Sequence, residues 1–211
     1  MNRQLASLCL QAYSGIPDAD VYQTISQVCY GLPFSDGRAL IFRGTDDIID
    51  WFMNISGKKI DHAWGEVHRG FDMAWELLRK VIPDPDPATP LYLAGHSLGG
   101  ALATMAAAYY YSRNPIRRVV TFGSPRAGNA AFRDAYALRL GDRTARYVNQ
   151  KDPVPFAPPL LIGYRHVTAS KWFDGTAWHD GVSCWRFLQM SVSGFIKDHD
   201  MQRYVEAMDF S

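Results

Sequence analysis

Hydrophobic residues along this chain alternate between two spacings. Short apolar or alternating runs at Val21–Val28, Ala39–Phe42, Leu91–Ala94, Arg118–Phe122 and Ala145–Asn149 read as strands. Spacing of the helical kind predicts helices over Leu5–Ala12, Gly70–Val81, Leu98–Ser112 and Asn129–Tyr136 between them. A pair of short strands is expected around the Asp174-Gly175 turn, followed by helices near Cys184–Val192 and His199–Ala207. Alternating strand and helix predicts an α/β fold, its sheet mostly parallel with helices on both faces. Such a sheet gathers a ligand beyond the carboxyl ends of its strands. Thr45, Ser97 and Asp152 each follow one of the predicted strands there.

The run Leu91-Tyr-Leu-Ala-Gly-His-Ser97-Leu-Gly-Gly-Ala101 sets a Gly-x-Ser-x-Gly pentapeptide between an apolar strand and an Ala-rich helix. In that context the serine stands on a tight strand-to-helix turn, with Gly95 and Gly99 small enough to let the flanking backbones pass. Ser97 is therefore a candidate nucleophile. The N–H of Leu98, at the positive end of the helix dipole, is a candidate donor to a developing oxyanion.

A serine hydroxyl needs a histidine to take its proton and a carboxylate to hold the imidazole in the right tautomer. The chain order serine, acid, histidine removes His62 and His68. His96 adjoins Ser97 and supports the turn, and His166 lies in an alternating run where a hydrogen-bonded structural role fits. His179, in a loop, and His199, at the start of the last helix, both remain as bases. Asp152 is the best-placed acid because Pro153 and Pro155 force the chain off the strand beside it. Asp142, Asp174 and Asp180 are alternatives; the first two sit in turns beside glycine.

With 211 residues and 47% hydrophobic content, the chain fits a single domain over 1–211, since domains commonly reach about 250 residues before splitting. A formal net charge of +1 with both signs interspersed gives no reason to expect nucleic acid or an anionic membrane as partner. Cys9, Cys29 and Cys184 form neither a disulfide framework nor a metal-ligand pattern and read as small buried hydrophobes. The six histidines show no paired ligand spacing, so neither a metal nor any other cofactor is expected. No apolar run reaches transmembrane length, and the first residues show amphipathic rather than secretory patterning. The expectation is a soluble protein, cytoplasmic or exported by a route without a cleaved signal.

Several blocks together resemble the class 3 lipases, the fungal-lipase-like branch of the α/β-hydrolase fold. They are Ile41-Phe-Arg-Gly-Thr45 with Asp50-Trp51 and Asn54, His68-Arg-Gly-Phe71, the elbow Gly95–Ala101, Thr121-Phe-Gly-Ser-Pro-Arg-Ala-Gly-Asn129 and Asp152-Pro-Val-Pro155. The resemblance implies a triad of Ser97, Asp152 and His199, the last preceding a terminal helix that carries Tyr204. It also implies Thr45 and Leu98 as oxyanion donors, and Ser124 as a turn residue. The implied activity is hydrolysis of lipid carboxylic esters such as acylglycerols, through an acyl-enzyme. A phospholipase A1, a short-chain carboxylesterase and a non-catalytic acyl-binding module are the alternatives.

On a helical wheel Asp46, Asp47, Asp50 and Asn54 share one arc, while Ile48, Ile49, Trp51, Phe52, Met53 and Ile55 share the other. The resemblance makes 46–56 a candidate lid helix, with Ile48, Ile49, Trp51 and Phe52 as acyl contacts and transient contact with a lipid surface. The same wheel describes a helix packed permanently on a core.

Overall fold

A computed structural model describes residues 1–45, 57–181 and 195–210. The candidate lid 46–56, with Ile48, Ile49, Trp51 and Phe52, and the predicted helix Cys184–Val192 lie outside the described residues.

Ten strands are described: β1 (Asp20–Gln23), β2 (Val28–Phe34), β3 (Gly37–Phe42), β4 (Lys59–His62), β5 (Gly65–His68), β6 (Leu91–His96), β7 (Ile116–Phe122), β8 (Thr144–Asn149), β9 (Ser170–Phe173) and β10 (Trp178–Asp180). Eight form one sheet in the order β1-β2-β3-β6-β7-β8-β9-β10, and β4-β5 form a separate hairpin. From β3 through β9 every pairing in the main sheet is parallel, with antiparallel strands confined to its two edges. The expected mostly parallel α/β architecture is present.

Successive residues of the central strands serve opposite faces, as the pleat requires. Leu40, Phe42, Leu91, Leu93 and Val119 join one core with helices α2 (Arg69–Leu78), α3 (Leu98–Tyr110) and α4 (Ala130–Leu140). Ala39, Ile41, Tyr92, Ala94, Val120 and Phe122 join the other, with α1 (Asn2–Gln11) and α6 (Met201–Ala207). A short helix, α5 (Phe195–Asp198), precedes α6. β6 is buried along its whole length, which explains its unbroken apolar sequence. α3 is buried almost all round, and its run of Gly and Ala lets it lie close on the sheet.

The run expected as one strand over Val21–Val28 is two, β1 and β2. Thr24 Oγ1 accepts from Gln27 N at 3.1 Å, and Thr24 N donates to Gln27 O at 2.9 Å, closing a turn that alternation alone does not reveal. β2 contains Pro33, whose partner on β3 is Arg38; β1 pairs no further than Gly31, so the missing N–H faces no neighbour. The expected strand-like run around His166 is also absent: only an isolated bridge from Arg165 to Gly128 forms there.

Candidate active site

Ser97 stands between the end of β6 and the start of α3 with φ 57° and ψ −129°, a conformation that non-glycine residues rarely adopt. Two close backbone approaches hold it there. A Cβ on Gly95 would run into the Gly99 carbonyl, and one on Gly99 would run into the carbonyl of Phe42 on β3. Ser97 N donates to Phe122 O at 2.9 Å, and Gly100 N donates to Ser97 O at the same distance. These contacts pin a strained serine over the parallel strands. Leu98, as first residue of α3, has an N–H outside the helix's own ladder. Thr45 follows β3, and its neighbour Gly44 is so close that a Cβ there would come within 3.1 Å of Ser97 Cβ.

Asp152 lies just past β8 and is fully buried. Its N–H donates to Asn149 O at 2.9 Å, and its Oδ1 accepts from Val154 N at 2.9 Å. Oδ2 accepts from Tyr204 OH at 2.6 Å and from His199 Nδ1 at 2.8 Å. Tyr204 OH in turn accepts from Asn149 N at 3.0 Å. Burial, then the charge of Asp152, hold the Tyr204 phenol well above its ordinary pKa, so it serves as a permanent donor.

His199 sits in the tight connection between α5 and α6. Asp200 caps α6 by accepting from Gln202 N at 2.9 Å, and Asp198 receives Lys151 N and Arg203 Nη1 at 3.2 and 2.9 Å. Asn149 Nδ2 donates to Asp198 O at 3.0 Å, tying the same turn to the end of β8. The backbone of His199 is held as well, because His96 Nε2 donates to His199 O at 2.7 Å. His96 Nδ1 is then an acceptor, and Tyr13 OH donates to it at 2.7 Å. Burial first, and the neighbouring His199 second, keep His96 well below its ordinary pKa and therefore neutral. Gly123 forms the floor: at φ +56° it leaves room where a Cβ would come within 2.6 Å of Asp152 Oδ2 and 2.9 Å of His199 Nδ1.

A carboxylate that receives three donors has none to return, so His199 Nδ1 carries a proton, and in the neutral ring the lone pair is on Nε2. Ser97 Oγ and His199 Nε2 are both buried, and neither has a hydrogen-bond partner among the described residues. An unpaired hydroxyl and an unpaired imidazole nitrogen shielded from water are costly. They are the two atoms through which a serine would be deprotonated.

The other histidines have different employment. His68 caps α2, its Nδ1 accepting from Phe71 N at 3.3 Å, and His62 Nδ1 accepts from Trp64 N at 3.3 Å. His166 is half-buried with Nε2 donating to Pro155 O at 2.6 Å, the hydrogen-bonded structural role expected for it. His179 is on β10 rather than in a loop; its Nε2 bonds to exposed Asp174 at 2.7 Å, and it does not reach the Asp152 carboxylate. Asp180 pairs with Lys171 at 2.6 Å and Asp142 lies in a short turn of 3-10 helix. Ser124 Oγ donates to Pro125 O at 3.2 Å. Sequence reasoning missed Tyr13, Gly123, Asn149 and Asp198, which act at long range; only the Gly-Ser-Pro turn hinted at Gly123.

The class 3 lipase family profile matches residues 39–162, well over half of the chain. The chain belongs to the class 3 lipases. A secreted mono- and diacylglycerol lipase 1 from Fusarium solani is 36% identical over 143 residues, covering 63% of this chain and 43% of the relative. A Rhizopus oryzae lipase is 31% identical over 193 residues, covering 80% and 49%. The chain thus spans less than half the length of the relatives it matches. Among solved structures, a Rhizomucor miehei lipase propeptide complex superposes with a TM-score of 0.73 at 20% identity, over 94% of this chain and 78% of that one. Lipase II from Rhizopus niveus gives 0.63 at 27% identity, over 79% and 71%. The fold is that of the fungal lipases. Two of the relatives are named as secreted, and among the described residues no helix is long and apolar enough to cross a membrane.

Proposed function

We propose that this class 3 lipase hydrolyses carboxylic esters of lipids, acylglycerols first among them, with Ser97 as nucleophile, His199 as base and Asp152 as orienting acid. The observation that carries the reading is the Asp152–His199 bond at 2.8 Å, which orients the His199 ring with its Nε2 buried and unpaired, together with a strained Ser97 whose Oγ is likewise buried and unpaired. His199 Nε2 takes the hydroxyl proton as Ser97 Oγ attacks the ester carbonyl, and Asp152 stabilises the imidazolium. The tetrahedral oxyanion is held by the N–H groups of Thr45 and Leu98. Its collapse breaks the ester C–O bond, and the alcohol leaves with the proton from His199. Water, deprotonated by the same nitrogen, then attacks the acyl-serine and releases the fatty acid.

The lipid preference is supported by the names of the relatives, which are mono- and diacylglycerol lipases and lipases. The amphipathic stretch 46–56, directly after Thr45, is the proposed point of contact with acyl chains and lipid surface, on its sequence pattern. A panel of a soluble short ester, an emulsified triglyceride, a diglyceride and phospholipid vesicles tests the reading. We expect turnover highest on acylglycerols and reduced by roughly 10⁴-fold or more in Ser97→Ala and His199→Ala. Activity confined to the short ester or to the phospholipid would assign the esterase or the phospholipase reading instead.

A further inference from the structure

Arg146 lies on β8 between Ala145 and Tyr147, which belong to the α1/α6 core, so its side chain projects from the opposite face of the sheet. It is only 5% exposed. Its cross-strand neighbour on β9 is the neutral Ser170. Nη1 donates to Thr168 O at 2.7 Å, and among the described residues Arg146 makes no ion pair with a carboxylate. A guanidinium offers five N–H donors in a rigid fork. Most of that capacity is unspent.

Beside it stands a second buried guanidinium, Arg126, whose Nη1 donates to the carbonyls of Phe156 and Pro158. Both arginines, with His166, Phe156 and Ser170, line a partly open cavity of about 330 Å³. That volume lies at the lower end of the range of small-ligand pockets, about 300–1,000 Å³. Burial, and then the charge of Arg126, pull the Arg146 guanidinium down to about 9. A guanidinium as buried as that of Arg146, with no carboxylate paired to it among the described residues, is costly unless an anion joins it.

We propose that this cavity binds a phosphate group, free or carried on a lipid headgroup, with the Arg146 guanidinium as its principal anchor. Guanidinium forks match the oxygens of phosphate in paired, charge-assisted hydrogen bonds. The half-open mouth admits a headgroup while the arginines remain shielded. This site is separate from the Ser97 chemistry and does not depend on the hydrolase reading.

Thermal melts of wild type and Arg146→Gln in sodium phosphate and in sodium chloride of equal ionic strength provide the first arm. Phosphate stabilises most proteins by exclusion, so the variant supplies the reference. At about 10 mM phosphate and a millimolar Kd, the wild type should gain roughly 3 °C more than the variant. The second arm needs no variant: phosphate should slow phenylglyoxal modification of Arg146, mapped by peptide mass, while leaving the half-exposed Arg117 unchanged. A third arm compares binding to phosphatidylcholine vesicles with and without phosphatidic acid. Binding that needs phosphatidic acid and Arg146 assigns the lipid headgroup. Protection by inorganic phosphate without it assigns a soluble phosphate. No protection of Arg146 by either source overturns the proposal, as does a phosphate gain of equal size in Arg146→Gln.

Discussion

At the scale of single residues, the site depends on side chains being absent as much as present. Gly123 is the sharpest case, since its positive φ and the nearness of Asp152 and His199 both exclude a Cβ. Gly123→Ala should strain the backbone and push the dyad aside. A misplacement of about 1 Å can cost roughly 10²-fold in rate. We therefore expect kcat/KM on an ester to fall by about that factor. A Gly123→Ala enzyme with unchanged kcat/KM would show that the dyad has slack. The turn at Ser97 was legible in the sequence because Gly95 and Gly99 can be read locally, one strand before and one helix after. The choice between His179 and His199 was not legible from residues alone. It depends on which loop folds down onto the end of β8, and that is decided by the bonds from Asn149 and Lys151 to Asp198, 47 to 49 positions away along the chain.

At the scale of elements, α6 matters because His199 stands immediately before its N-cap, Asp200. Asp200 satisfies the N–H of Gln202, and losing such a cap costs about 1 kcal/mol. For a protein of this size that corresponds to a fall in Tm of about 2–4 °C in Asp200→Ala. An unchanged Tm would mean that packing of Met201 and Tyr204 alone fixes the helix. The helices that lie within the described residues and the central strands were legible to within a few residues, since their apolar periods are strong. The β4–β5 hairpin and the split of β1 from β2 were not. Lys59–His62 and Gly65–His68 are short and mostly polar, with Val67 the one apolar residue they bury in the core, so no apolar run announces their pairing.

At the scale of the whole molecule, two histidines are held in their neutral forms. His96 is held below its ordinary pKa by burial and His199, and His166 by burial and the charges of Arg146 and Arg126. As the pH falls through the unfolded value near 6.5, the unfolded chain takes up protons that the native protein does not. Stability should therefore decline on acidification below that pH, at up to about 1.4 kcal/mol per pH unit for each histidine. Urea unfolding at neutral pH and near pH 5 measures this. Equal stability at the two values would mean that neither ring is held neutral by the fold. The sheet topology that assembles the site was legible as a class, because alternating elements force parallel pairing, while its antiparallel edges were not.

The central claim is that the fold makes the Ser97 hydroxyl a nucleophile through His199. Labelling of the folded protein with a fluorophosphonate, located by peptide mass, tests it most directly. Modification should fall on Ser97 alone, be abolished in Ser97→Ala and be slowed at least about 10³-fold in His199→Ala. A folded wild type that stays unlabelled, or one labelled on another serine, would contradict it.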